Sequence, residues 1–171
     1  MSRASSTPAT SAPGSSVPFD PDTVASLIAA RKSLPGALLP ILHAIQDRLG
    51  HIPAEALPLI AGELNISRAE VHGVVTYYHY FRQQPPGRHV IQICRAEACQ
   101  ASGGNQLAAH ASKTLGCAFH HTTADGQFTL EPVYCLGQCG CAPAMTIDAD
   151  LHARVTPAKF DQLLAQKRGA Q

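Results

Sequence analysis

Five of the six cysteines fall in two short stretches. Cys94 and Cys99 lie in ICRAEACQ, and Cys135, Cys139 and Cys141 crowd into YCLGQCGCAP, while Cys117 stands apart. Thiolates are soft donors that suit iron–sulfur clusters and zinc. C-x4-C on one stretch and C-x3-C on the other supply four of them if the fold brings the stretches together. Tetrahedral zinc takes knuckles of C-x2-C to C-x4-C, so spacing alone leaves both metals open, although wider loops better suit two metal centres. Disulfides rank behind either. No charged start followed by an apolar run marks a secretory signal, and cysteines outside an oxidising compartment are metal ligands or redox groups more often than bridges.

Composition narrows the classes. The formal net charge is +1 and 45% of residues are apolar. That is enough for a packed core, with no basic stripe for nucleic acid and no apolar run long enough to span a bilayer. The expectation is a soluble, cytoplasmic protein with neither a nucleic-acid nor a membrane partner.

The elements that must position the thiols can be read from periodicity. Residues 1–18, MSRASSTPATSAPGSSVP, are poor in apolar and charged side chains and read as a disordered tail. Residues 19–82 read as a helical domain. A short helix opens at Pro21-Asp22 and runs through Arg31. A second, Gly36 to Leu49, carries the stripe Leu38, Leu39, Ile41, Leu42, Ile45, Leu49 and is closed by Gly50; a third lies near Leu57 to Leu64. Ser67 with Glu70 three residues on is a capping box that opens a fourth helix, bearing Val71, Val74, Val75 and Tyr78. QQPPG at 83–87 breaks the pattern. Residues 88–168 alternate differently. His89 to Ile93 reads as a strand running into Cys94, Asn105 to Leu115 as a helix stopped by Gly116, and Gln127 to Val133 as a strand leading to Cys135. Ala144 to Ile147 is a further strand and Pro157 to Gln166 a final helix. The fold class expected is α+β, a helical N-terminal bundle followed by a thioredoxin-like α/β domain with a small mixed sheet. If the strands that end at Cys94 and before Cys135 are neighbours, both thiol pairs leave the sheet at one edge. Gly103-Gly104, Gly137 and Gly140 then clear space for backbone N–H groups to approach the sulfurs, and the helix start near Asn105 favours an anionic site.

ICRAEACQASGG and YCLGQCGCAPAM, following the helical stretch ALLPILHAIQDRLGHIPAEALPLIAGELNISRAEVHGVVTYYHYF, resemble the thioredoxin-like [2Fe-2S] subunits of NADH-oxidising complexes. That family includes the 24-kDa-type subunit of respiratory complex I, the diaphorase subunit of NAD-reducing hydrogenases and the gamma subunit of NAD-dependent formate dehydrogenase. The resemblance covers residues 20–168, and FRQQPPGRHVIQICRAEACQ with CLGQCGCAPA is most similar to the formate dehydrogenase gamma subunit. It implies one [2Fe-2S] cluster held by Cys94, Cys99, Cys135 and Cys139, with Cys141 left over. It implies a flavin- and NADH-binding partner subunit, and a molybdenum-containing formate dehydrogenase subunit in the same complex. The chain would itself be a non-catalytic electron-transfer subunit of an NAD-dependent oxidoreductase, exchanging single electrons near roughly −400 mV. The equivalent subunit of complex I or of an NAD-reducing hydrogenase is the alternative within the family. No GxGxxG or phosphate-binding loop occurs, in keeping with hydride chemistry in a neighbour.

Two readings from other classes compete. ELNISRAEVHGVVTYY has helix-turn-helix character, but its second helix offers Arg68, Glu70, His72 and Thr76, too little positive charge to neutralise phosphates. A thiol oxidoreductase would use C-x-x-C at a helix start, which the chain lacks. Cys117 beside His120 and His121 reads as a small core residue, because adjacent histidines on a strand point to opposite faces. Tyr77, Tyr78, Tyr80 and Phe81 read mainly as core packing, with a subunit interface for what is left exposed, and Pro143 stands where a thioredoxin-like fold often holds a cis proline.

Overall fold

A computed structural model describes residues 18–169; all of the expected tail except Pro18 lies outside the described residues. The described residues divide into two compact units, 18–85 and 86–169.

The N-terminal unit is a helical bundle whose ends are set by local chemistry. Asp20 caps α1 (Pro21–Ala29) by accepting from the N–H groups of Asp22 and Thr23, and Pro21 at the first position has no N–H to leave orphaned. The second helix, α2, runs Leu38–Leu49 and ends on Gly50 in the left-handed region at φ 81. Its buried stripe is narrower than the sequence suggests: Ile41, Leu42, Ile45 and Leu49 are buried, while Leu39 lies at the surface. After α3 (Ala56–Leu64) the capping box forms in full, with Ser67 and Glu70 satisfying each other's backbone N–H at the start of α4 (Arg68–Tyr77). Val24, Ile28, Ile41, Ile45, Ile60, Val71 and Val75 meet in one core. Burial of each such side chain contributes about 1.5–3 kcal/mol.

Of the aromatic residues that follow α4, only Phe81 joins that core. Tyr77, Tyr78 and Tyr80 are exposed, because the helix stops at Tyr77 and buries only Val71 and Val75. The segment is pinned instead by the buried Gln46. Its Nε2 donates to the Tyr80 carbonyl (2.8 Å) and its Oε1 accepts from the Arg82 N–H (2.7 Å).

The C-terminal unit is a five-stranded mixed sheet with helices. Its elements are β1 (His89–Cys94), α5 (Glu97–Cys99), a wide π turn over Gln100–Gly104, α6 (Asn105–Leu115), β2 (His121–Thr122), β3 (Phe128–Val133), β4 (Met145–Ile147), β5 (Asp150–His152) and α7 (Pro157–Gly169). The strand order is β2-β3-β1-β4-β5, with β1 and β3 parallel and every other pair antiparallel. This is the thioredoxin-like α/β arrangement expected. Strands β2 and β5 escape periodicity analysis because two or three residues cannot show an alternation. Ile91, Ile93, Phe128, Leu130, Met145 and Ile147 from the sheet pack with Leu107 and Ala111 of α6 and Phe160 and Leu164 of α7. The two helices are joined by His110, whose Nε2 lies 2.7 Å from Asp161. Cys117 packs half-buried against the same core, and burial pushes its thiol pKa up. His120 pairs instead with Glu131 at 2.7 Å, and His121 Nδ1 lies 2.9 Å from the Phe119 carbonyl oxygen.

Two outcomes follow from these contacts. Gln46→Leu strands the Tyr80 carbonyl and the Arg82 N–H, and should destabilise the N-terminal unit by about 2 kcal/mol in urea unfolding followed by tyrosine fluorescence. In the C-terminal unit, burial holds the pKa of His152 below its ordinary value of 6.5, against the pull of Asp150 and with help from Lys159 and Lys167. Its Nε2 has no hydrogen-bond partner among the described residues. The unfolded chain therefore binds a proton at His152 before the folded one does, so this contribution is present above pH about 6.5 and is lost as pH falls towards the folded value. Thermal melts between pH 7.5 and 5.5 should show a slope that His152→Phe flattens; an unchanged slope would refute the assignment.

Candidate metal centre

The sheet topology decides where the thiols meet. Parallel pairing puts Cys94 opposite Val133, so β1 and β3 end side by side. On the other flank of β1, β4 runs antiparallel and therefore begins at the same edge. Since β1 lies between β3 and β4, the connection 134–144 has to cross the end of β1, and it carries Cys135, Cys139 and Cys141 past Cys94. Two backbone bonds hold the crossing in place, Arg95 N–H to the Val133 carbonyl (2.7 Å) and Cys94 N–H to the Ala144 carbonyl (3.0 Å).

The two stretches place their thiols differently from a pair of loops. Cys94 is the last residue of β1 and Cys99 the last of α5, and both are buried with Ala144 in an apolar collar that includes Ala96, Val133 and Leu136. Cys135 and Cys139 are exposed, with their sulfurs 3.9 Å apart. Cys135 adopts φ 111, a conformation that side-chain-bearing residues avoid and that costs about 1–3 kcal/mol where the surroundings impose it. Cys139 opens a 3-10 turn, Cys139–Cys141, whose third residue, Cys141, is half-buried; the following Ala142–Pro143 bond is cis.

Backbone N–H groups converge on the sulfurs. Burial opposes ionisation of Cys94, but the N–H groups of Ala96, Leu136 and Cys135 and a bond from Cys99 overcome it, and its pKa falls below the ordinary thiol value. Gly137, at φ 74, donates to Cys135 Sγ at 3.3 Å, as the glycine spacing suggests. Burial raises Cys99 against the pull of the Ala144 N–H, and Cys94 and Cys139 raise it further. Cys139 is raised by Cys135 first and by Cys94 as well. The donors Ala96, Leu136 and Ala144 leave no mark in the sequence, because a backbone amide acts without regard to residue type.

Neighbouring thiols thus oppose the ionisation of Cys99 and Cys139, and thiolates gathered this closely need a bound cation. Among the described residues, no three His, Cys, Asp or Glu side chains gather tightly enough for a single ion. Cys135 Sγ lies 3.9 Å from Cys139 Sγ, Cys94 and Cys99 share a hydrogen bond, and Cys139 acts electrostatically on Cys99. A tetrahedral zinc wants all four within about 2.3 Å of one point, whereas a binuclear [2Fe-2S] cluster takes two thiolates on each iron. The all-sulfur donors, their pairing and the surrounding N–H groups fit that cluster.

Comparison with known proteins reaches the same cofactor independently. The profile of the family "thioredoxin-like [2Fe-2S] ferredoxin" matches residues 24–168. A subunit of the NADH-quinone oxidoreductase of Pseudomonas aeruginosa is 41% identical over 128 residues, covering 75% of this chain and 77% of that protein. The NADP-reducing hydrogenase subunit HndA of Solidesulfovibrio fructosivorans is 30% identical over 138 residues, covering 79% and 81%. Among solved structures, an NAD+-reducing [NiFe]-hydrogenase in the air-oxidised state superposes with a TM-score of 0.65 at 25% identity over 81% of this chain; the match spans only 24% of that longer chain. With the sheet, the thiol pairs and these relatives in agreement, the chain belongs to the thioredoxin-like [2Fe-2S] ferredoxin family, and its cofactor is a [2Fe-2S] cluster.

Proposed function

We propose that the chain is the electron-transfer subunit of an NADH-oxidising complex, with its cluster held by Cys94, Cys99, Cys135 and Cys139. The observation that carries this reading is the meeting of two thiol pairs at the shared end of β1 and β3, beneath converging N–H groups. The bound cluster supplies one-electron storage. The protein's part is to hold it. Cys94 and Cys99 anchor it from the buried side, and their apolar collar keeps water away. Cys135 and Cys139 hold it from the exposed side, where a redox partner can approach. The N–H groups of Ala96, Leu136, Gly137 and Ala144 offset negative charge on the sulfurs.

The partner in this reading is a flavin- and NADH-binding subunit: the names of the relatives carry the nicotinamide nucleotide, and the flavin is what the sequence resemblance implies. Those relatives favour the counterpart of the NADH-quinone oxidoreductase or hydrogenase subunit over the gamma subunit of formate dehydrogenase. The formate dehydrogenase assignment, with its molybdenum-containing partner, rests on the sequence resemblance around residues 81–100 and 135–144. Affinity purification from the native host distinguishes them: co-purification with a molybdenum subunit supports formate dehydrogenase, and with membrane or nickel subunits the alternatives. No described helix is long and apolar enough to cross a membrane.

Protein purified without oxygen should be brown. It should contain about two iron and two acid-labile sulfide per chain and give an electron paramagnetic resonance signal after dithionite; colourless protein with stoichiometric zinc would overturn the cluster. Cys139→Ser should lose or reshape that signal, whereas Cys141→Ser should retain it, and the reverse result would transfer the fourth ligand to Cys141.

A further inference from the structure

The consecutive glycines 103 and 104 have separate tasks. Gly103, at φ 94, supplies the left-handed conformation that lets the chain fit a wide turn between α5 and α6. Gly104 needs no such freedom. Its φ of −60 and ψ of −30 are ordinary helical values, at which alanine is favoured over glycine by about 0.5–1 kcal/mol. Space excludes a side chain there. A Cβ on Gly104 would lie 2.5 Å from the carbonyl oxygen of Cys99, 2.8 Å from its carbonyl carbon and 3.5 Å from its Cβ. The obstacle is backbone, which no rotamer change can move aside.

We infer that Gly104 is a positioning residue for Cys99: its bare Cα lets α6 begin in direct contact with the Cys99 peptide and so fixes where that thiol points. Two observations support a role directed at the sulfur. Cys99 is almost fully buried, at 2% exposure, so its peptide has little room to retreat. The Ala144 N–H also hydrogen-bonds the Cys99 thiol, so a shift of the peptide alters the sulfur's hydrogen bonding as well as its location. Support of this kind around a ligand typically changes metal affinity about 10–100-fold when it is lost.

The inference rests on Cys99 being a cluster ligand, and the experiment separates the two. Full-length wild type, Gly104→Ala, Cys99→Ser and the remote control Gly62→Ala, whose added Cβ meets nothing within 4 Å, are reconstituted anaerobically. Gly104→Ala should lose iron to a chelator roughly 10–100-fold faster than wild type. Its paramagnetic g-values should shift, and in metal-free protein Cys99 should be alkylated faster by iodoacetamide, read by peptide mass spectrometry. Gly62→Ala should match wild type. If Cys99→Ser loses the signal while Gly104→Ala equals wild type in all three readouts, the positioning role is wrong. If Cys99→Ser leaves the signal unchanged, the ligand assignment falls, and the alkylation rate of Gly104→Ala alone decides the role of the glycine. A Gly104→Ala chain without native circular dichroism also counts against the proposal, since the residue would then serve folding rather than thiol placement.

Discussion

The parallel pairing of β1 with β3, with β4 on the far flank of β1, governs the rest of the C-terminal unit. Parallel strands end at the same edge, an antiparallel neighbour begins there, and a chain that leaves β3 for β4 cannot avoid crossing the end of β1. Thiols some forty residues apart in sequence are brought together by the strand order, and the Cys135 N–H reaches the Cys94 thiol as a result. The register matters as much as the order. A slip of one residue between β1 and β3 would turn Ile91 and Ile93 out of the core and Cys94 away from the crossing segment.

Burial divides the centre into unlike halves. Cys94 and Cys99 belong to the packed interior, and their positions are set by the sheet and by the contact of α6 with the α5 turn. Cys135 and Cys139 ride on an exposed connection, held by Arg95, Ala144 and the strained backbone at Cys135. A buried inner pair and an exposed outer pair suit the proposed cradle, which has to retain a cluster and still present it to a redox partner. The electrostatics agree, since neighbouring thiols raise the pKa of Cys99 and of Cys139, and a bound cation would relieve that opposition.

Much of this was legible in the residues. The capping box at Ser67, the stop at Gly50 and the helix from Asn105 to Leu115 appear where their local signals stand, because caps and breakers act within a turn of themselves. Elements shorter than their own repeat, such as β2 and β5, gave no such signal. The aromatic run at 77–81 misled for a related reason: residue type says that a tyrosine can be buried, but the end of α4 leaves three of them outside.

By itself the sequence determined the donor chemistry. Six thiols, their spacing, the flanking glycines and the motifs around them specify soft ligands in two groups, and these are properties of residue type and separation along the chain. Only the tertiary structure decided which of the two thiol pairs is buried and which backbone N–H groups face the sulfurs. It also separated the two adjacent glycines, one needed for its φ and the other for its missing Cβ. Those features depend on distances between segments remote in sequence and on backbone direction, neither of which is carried by the identity of a residue.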